Sequence, residues 1–149
     1  MLFKKGILSL VLMVLSSQVQ AADEKDILGV WTTENSDSQV EISRCEAGLC
    51  GRIIALKEPH YPAGDEMAGQ TKVDRHNPDA SQHKAPLIGL QILTGFKFDG
   101  DDVWEDGQIY DPKSGKTYQC KITMVDKHNL KVRGFIGFAL LGRTTEWTR

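Results

Sequence analysis

The stretch "DILGVWTTENSDSQVEISRC", from Asp26 to Cys45, decides the fold class because apolar and polar residues alternate along it. A first run, Ile27 to Glu34, leads through the polar turn "ENSDS" into a second run, Ser38 to Cys45. In the second run Val40 and Ile42 share one face, and polar residues occupy the other. A period of two residues is typical of a half-buried β-strand. The stretch therefore predicts two strands joined by a turn.

The same alternation continues through most of the chain, without internal repeats, heptads or long helical periods. Short apolar runs are separated by turn signals such as "DGDD" and "PKSG", which gives about eight strands. Strands linked by successive hairpins favour an up-and-down antiparallel meander, and closing such a sheet removes its unpaired edges. We therefore expect an all-β fold, a single antiparallel up-and-down barrel of about eight strands.

Residues 57–85 form a long irregular segment that interrupts this pattern, and they hold three of the five prolines and three of the four histidines. A loop of this length in a small domain is either functional or a tolerated disordered insertion, and the sequence leaves both alternatives open. The motif "DRHNPD" offers histidine and aspartate side chains, but the spacings of zinc and calcium sites are absent. A turn is therefore favoured over a metal site, and no metal or cofactor is predicted.

Residues 1–21 have the composition of a cleaved secretory signal peptide. The basic start "MLFKK" precedes the apolar run "GILSLVLMVLSSQVQA", which ends in small residues suited to cleavage. The apolar run is too short to span a bilayer comfortably, and no cysteine follows it for attachment of a lipid. We expect a periplasmic or secreted protein with no membrane anchor after cleavage and one domain over residues 26–149. A retained amphipathic anchor is the alternative.

The charge of the exported part argues against one class of partner. Without Lys4 and Lys5, 16 of the 18 basic residues remain against 20 acidic residues, a net charge of about −4. Binding of nucleic acid requires a basic surface, so nucleic acid is not expected as a partner. The net charge also gives no support to attraction by an anionic membrane.

Three cysteines, Cys45, Cys50 and Cys120, allow three single pairings in an oxidising compartment and leave one free thiol. A four-residue connection between Cys45 and Cys50 would place them opposite each other in a hairpin, within disulfide range. We predict this pairing over a redox-active pair, because the spacing is not that of C-x-x-C. Cys120 lies on an apolar row with Ile122 and Met124, which predicts a buried free thiol.

Aromatic and polar residues on the inward rows give a candidate ligand-binding site. Trp104 and Tyr110 alternate in phase with Asp106, and Tyr118 lies on the apolar row of the next strand. Arg143 begins the last strand and is a candidate anion anchor. Aromatic walls with a few polar groups are typical of a small-ligand pocket. The alternatives are that these rows face solvent or that Arg143 forms an internal structural bridge with Asp106.

The residues Gly29, Val30 and Trp31 resemble the G-x-W signature of the lipocalins and the related calycins. The resemblance implies that Trp31 plugs the closed end of the barrel and that Arg149, at the end of the last strand, packs across it. An arginine over an indole ring gains about 0.5–2 kcal/mol. Gly29 has no side chain, so another part of the chain can approach the backbone closely at this point. These three residues are expected to be structural.

Longer segments resemble a second, more specific family. The segments "RCEAGLCGRI", "PLIGLQIL", "DGQIYDPKSGKTYQC" and "LKVRGFIGFALLGRTTEWTR" are similar to the domain of unknown function 2147 family of small exported bacterial proteins. The resemblance covers residues 26–149 and implies a lipocalin-like barrel without an agreed activity. Family members usually carry arginines just before the "PL" segment, whereas "QHKAPL" here offers only Lys84. This departure weakens the expectation of an anion site built there.

The function expected from these observations is binding rather than catalysis. The sequence lacks G-x-S-x-G, a glycine-rich phosphate loop and a catalytic Cys/His pair, so an enzyme is not predicted. We expect the lumen to bind a small, partly hydrophobic or amphipathic ligand, an expectation that follows from fold analogy. The alternative is an envelope interaction protein whose lumen is filled and which acts through its long loop or a sheet edge.

Overall fold

The computed structural model describes residues 21–149, so the predicted signal peptide, apart from Ala21, lies outside the described residues. Within them, eight strands follow one another along the chain. They are β1 (Gly29–Thr32), β2 (Ser38–Cys45), β3 (Gly48–Leu56), β4 (Gln91–Gly100), β5 (Val103–Asp111), β6 (Lys116–Asp126), β7 (Asn129–Phe135) and β8 (Gly142–Thr148). Each strand pairs with the next in antiparallel fashion, and β8 returns to β1 to close a barrel. The prediction of an all-β, up-and-down barrel of about eight strands is confirmed.

Three short 3-10 helices interrupt the connections between strands, at Glu34–Ser36, Ala80–Gln82 and Ala139–Leu141. None of the helical segments in residues 21–149 is long and apolar enough to cross a membrane.

The half of the lumen nearest the β4–β5 turn is filled with side chains. Trp31, Phe96 and Trp104 are the largest of the fully buried residues there. The ring of Phe96 lies directly on Gly107 of β5, where an added Cβ would come within about 2.5 Å of the ring carbons. Any larger residue at position 107 would displace Phe96, so glycine is required for this half of the core to pack densely.

A bulge in β5 interrupts the alternation predicted for this strand. The register to β6 shifts between Trp104 and Gly107, and Asp106 takes a φ of 60° at the bulge. Asp106 is exposed, so it does not share a face with Trp104, which is fully buried. An extra residue in one strand moves every following side chain to the other face. The prediction of one continuous row from Trp104 to Tyr110 is wrong for this reason.

The same filled end is closed by contacts between Arg149 and the start of the barrel. The Arg149 guanidinium lies 4.1 Å from the centre of the Trp31 ring. The Trp31 indole Nε1 donates a hydrogen bond of 2.8 Å to the carbonyl of Ile27. The Arg149 side chain donates to three more carbonyl oxygens, those of Leu28, Asp26 and Lys127. Gly29, with a φ of 114°, lies beside the guanidinium, in a backbone conformation that favours glycine.

The predicted disulfide between Cys45 and Cys50 is confirmed, with a Cα–Cα distance of 5.9 Å. The reasoning about its register is wrong, because Cys45 faces Gly48 across a tighter turn and Cys50 faces Ser43. Cys120 is a free, buried thiol, and burial raises its pKa to about 12. Loss of solvation disfavours the thiolate and leaves the sulfur as a small apolar group.

Residues 57–90 connect β3 to β4. They have a defined conformation, unlike a disordered insertion. Isolated bridges join His60 to Thr71 and Val73 to Pro86. Further backbone hydrogen bonds connect Tyr61 with Gln70 and Asp74 with Ala85. We call residues 57–90 the long loop. Its ends leave the barrel beside the open end of the lumen.

Candidate functional site at the mouth of the barrel

The half of the lumen opposite the Trp31 end opens into a cavity of about 1150 Å³, which extends from the barrel wall to the connections around the mouth. Its apolar wall includes Ile53, Ile92, Ile109, Val132 and Trp147, contributed by strands β3, β4, β5, β7 and β8. Small-ligand sites in proteins typically have volumes of about 300–1,000 Å³. The lumen is therefore filled at one end and accessible at the other, with ample room for a small molecule.

The long loop is fixed to the barrel wall by a buried carboxylate. Asp74 is fully buried, and its Oδ1 accepts a hydrogen bond of 2.7 Å from the Tyr110 hydroxyl of β5. Its Oδ2 accepts a second hydrogen bond of 2.7 Å from the Asn77 side chain. Burial, followed by the hydrogen bond to Asp74, raises the pKa of Tyr110, which keeps the phenol protonated as a donor. A buried carboxylate without hydrogen-bond partners is energetically costly. The bond between Asp74 and Tyr110 therefore fixes the long loop to β5 beside the cavity.

A second set of contacts organises the loop itself. The Arg75 guanidinium forms two hydrogen bonds of 2.9 Å to the Asp65 carboxylate and lies 4.3 Å from the centre of the Tyr61 ring. The hydrogen bond from Arg75, followed by one from the Met67 amide, lowers the pKa of Asp65 to about 2. The Tyr61 hydroxyl donates to the carbonyl of Val73 and accepts from its amide. These contacts explain how an irregular segment keeps one shape beside the cavity.

Charged side chains surround the opening. Arg143 donates a hydrogen bond of 2.9 Å to Glu34 in the β1–β2 connection, so the predicted alternative of a bridge to Asp106 is wrong. Lys57 and Lys72 also line the cavity, and neither makes a side-chain hydrogen bond or ion pair with another part of the chain that the structure describes. The acidic residues Glu34 and Glu58 lie at the same opening, so the mouth presents charges of both signs above an apolar wall.

The structure brings three of the four predicted site residues to the cavity. Tyr110, Tyr118 and Arg143 line it. Trp104 does not, because it lies in the filled half of the lumen, where its ring centroid is 4.9 Å from that of Phe98. The Trp104 indole nitrogen has no hydrogen-bond partner among the described residues.

Other residues also line the cavity. Thr145 and Trp147 lie on the same alternating row of the last strand as Arg143, so the sequence pattern already groups them with a candidate site residue. Tyr61, Lys72 and His76 reach the cavity from the long loop. Their positions depend on contacts between distant parts of the chain, which a local pattern does not reveal.

Two histidines of the long loop, His76 and His83, have different surroundings. The ring of His83 forms a hydrogen bond of 2.7 Å with the carbonyl of Asn77, whereas His76 lines the cavity. Within residues 21–149, no group of three or more histidine, cysteine, aspartate or glutamate side chains is arranged to hold a metal ion.

Comparisons with known proteins agree with this architecture. A solved structure described as "Protein HP1028 from the human pathogen Helicobacter pylori belongs to the lipocalin family" matches with a TM-score of 0.69 and 20% identity. The match covers 83% of this chain and 82% of that chain, and at this identity it shows the fold alone. No curated protein matches the sequence. The family described as "Uncharacterized protein conserved in bacteria (DUF2147)" matches residues 29–149. The chain belongs to this family of uncharacterised bacterial proteins and has a lipocalin-like barrel.

Proposed function

We propose that this protein is an exported binding protein that holds a small, partly hydrophobic ligand in the open half of its barrel. The observation that carries the proposal is the cavity of about 1150 Å³, with its apolar wall and charged mouth. Apolar surface that faces a cavity gains free energy when a ligand displaces its water. The open cavity does not support the alternative of a completely filled lumen.

The polarity of the lining favours an amphipathic ligand. Ile92, Val132 and Trp147 would contact an apolar body, while Lys57 and Lys72 would interact with a polar or anionic group at the mouth. Tyr110 and Tyr118 provide aromatic surface between these regions. Because the lining combines an apolar wall with charged groups at the mouth, the proposed role is the binding of a ligand with both characters.

Export of the protein is part of the proposal. The residues "MLFKKGILSLVLMVLSSQVQA" have the pattern of a secretory signal, and the disulfide between Cys45 and Cys50 is of a kind that persists in oxidising compartments. We place the working protein in the periplasm or outside the cell. Detection of the mature chain, starting after Ala21 or Ala22, in a periplasmic or culture fraction would test this placement.

Titration with the apolar dye N-phenyl-1-naphthylamine tests the binding function. Trp147 lines the cavity whereas Trp31 and Trp104 lie in the filled half, so only Trp147 should contact a dye in the lumen. We expect saturable dye fluorescence with one site per chain, and weaker dye affinity in Trp147→Phe. Trp104→Phe, checked for folding, is the matched control and should keep the original affinity. A lack of saturable binding up to the solubility limit of the dye would contradict the proposal.

A further inference from the structure

The connection between β7 and β8 exposes an unusual concentration of large apolar side chains. We call residues 136–141 the tip loop. Within it Ile136, Phe138, Leu140 and Leu141 are 67%, 78%, 90% and 76% exposed. From Gly134 to Gly142 the sequence "GFIGFALLG" contains no polar side chain. Contiguous exposed apolar surface of this kind marks an interaction site in a folded protein.

The two strands that carry the tip loop have an excess of positive charge. β7 and β8 contain Lys131, Arg133 and Arg143 against one acidic residue, Glu146, and Arg143 is paired with Glu34 at 2.9 Å. This contrasts with the net negative charge of the exported chain. The hairpin therefore combines an apolar end with cationic flanks, which is complementary to an anionic lipid surface.

Arg133 holds part of this positive charge at the base of the tip loop. Its Nη1 donates to Thr144 Oγ1 at 2.8 Å, and its Nη2 donates to the carbonyl of Leu140 at 3.3 Å. The Leu141 amide donates to the carbonyl of Phe138 at 3.0 Å. The bonds to the carbonyls of Leu140 and Phe138 satisfy polar backbone groups of the loop, which lowers the cost of moving the loop into an apolar medium.

The tip loop also borders the opening of the cavity. Ile136 and Leu141 belong to the cavity lining, as do Phe135 and Arg143 at the ends of the two strands. A surface that covers the tip loop would therefore lie beside the entrance to the lumen.

We propose that the tip loop docks the protein on an anionic lipid bilayer, with Phe138, Leu140 and Leu141 inserted at the interface and Arg133 near the lipid phosphates. A bilayer fits this surface better than a protein does, because the loop offers no side-chain hydrogen bond with which to specify a partner. The net charge of the whole chain fails to indicate this attraction, because positive charge is concentrated on one hairpin. Docking does not depend on a ligand in the lumen, so it can be tested separately from the binding function.

Flotation of the mature chain with lipid vesicles tests the proposal without any ligand. We expect the protein to float with vesicles of phosphatidylethanolamine and phosphatidylglycerol, and much less with phosphatidylcholine alone or at high salt. The double variant Phe138→Ser/Leu140→Ser should reduce the bound fraction at least about tenfold, since both side chains are exposed and their loss leaves the core intact. Val125→Ser, at an apolar residue that is 55% exposed on β6, is the matched control and should float like the original chain.

Two results would overturn the proposal. One is the absence of flotation with anionic vesicles, or flotation that the double variant does not change. The other is a dimer in analytical ultracentrifugation that dissociates in the double variant while neither protein binds vesicles, which would assign the tip loop to contact between copies of the chain. Circular dichroism of both variants should match that of the original chain, so that a loss of flotation reports on the surface and not on unfolding.

Discussion

Tyr110 and Asp74, which lie 36 positions apart in the chain, are joined by a hydrogen bond of 2.7 Å at the edge of the cavity. Through this bond β5 holds the long loop in place. Removing the hydroxyl in Tyr110→Phe leaves the fully buried Asp74 with one side-chain donor fewer. We expect the free energy of unfolding to fall by about 1–3 kcal/mol. Urea denaturation measures this change.

Hydrogen exchange shows whether the lost stability belongs to the loop. In Tyr110→Phe the amides of residues 57–90 should exchange faster, whereas those of the filled half of the barrel should change less. Tyr118→Phe is the matched control, because Tyr118 lines the same cavity and its hydroxyl makes no hydrogen bond within residues 21–149. Equal effects of the two variants would contradict the assigned role of the Asp74–Tyr110 bond.

Asp65 should make the protein sensitive to acid. Pairing with Arg75 lowers the pKa of Asp65 from 3.8 to about 2, so the folded state holds the ionised form more strongly than the unfolded state does. The resulting stabilisation is complete above pH of about 4 and is lost as the pH falls through about 2. Asp65→Asn should lose stability at neutral pH and show a weaker dependence on pH in this window. Denaturant midpoints of both proteins measured between these pH values test the prediction, and parallel pH profiles would refute it.

Cys120 should be inert in the folded protein. It is 2% exposed, and burial raises its pKa to about 12, so both access and thiolate formation are suppressed at pH 8. Mass spectrometry after incubation with iodoacetamide should detect no modification under native conditions and one modification after unfolding without reductant. Rapid native labelling would show that Cys120 is not buried in solution.

Arg149 should contribute to stability through both its charge and its shape. Arg149→Ala removes the contact with Trp31 and the hydrogen bonds to three carbonyl oxygens, and we expect a loss of about 1–3 kcal/mol. Arg149→Lys keeps the charge without the planar group, so it should recover only part of the loss. Thermal or urea denaturation measures the series, and an Ala variant as stable as the original chain would disprove the role.

The closed end of the barrel was the part of the structure that could be predicted best from the sequence. Gly29 and Trp31 lie in one short stretch, and the antiparallel return of the last strand brings Arg149 to them in any barrel of this topology. The disulfide was predicted with the correct partners but the wrong register, because the turn after Cys45 is shorter than the spacing of the cysteines suggested. Both results depend on local pattern and short-range geometry.

The candidate site was less predictable because it depends on long-range contacts and on one irregular strand. The bulge at Asp106 puts Trp104 out of phase with Tyr110, and bulges leave little trace in an alternating pattern. The long loop reaches the cavity only because Asp74 finds Tyr110 and Arg75 finds Asp65. No rule of sequence spacing relates Asp74 to Tyr110. The sequence alone therefore did not predict how the long loop folds.

Blocking the open half of the lumen tests the central claim most directly. Thr145 lines the cavity, so Thr145→Phe should place a ring in the space proposed for the ligand. Glu146→Phe, at the neighbouring exposed position on the outer face of β8, adds the same ring outside the barrel. We predict that the dissociation constant for N-phenyl-1-naphthylamine rises at least about tenfold in Thr145→Phe and stays unchanged in Glu146→Phe, with both proteins folded. Unchanged dye affinity in a folded Thr145→Phe protein would contradict binding in the lumen.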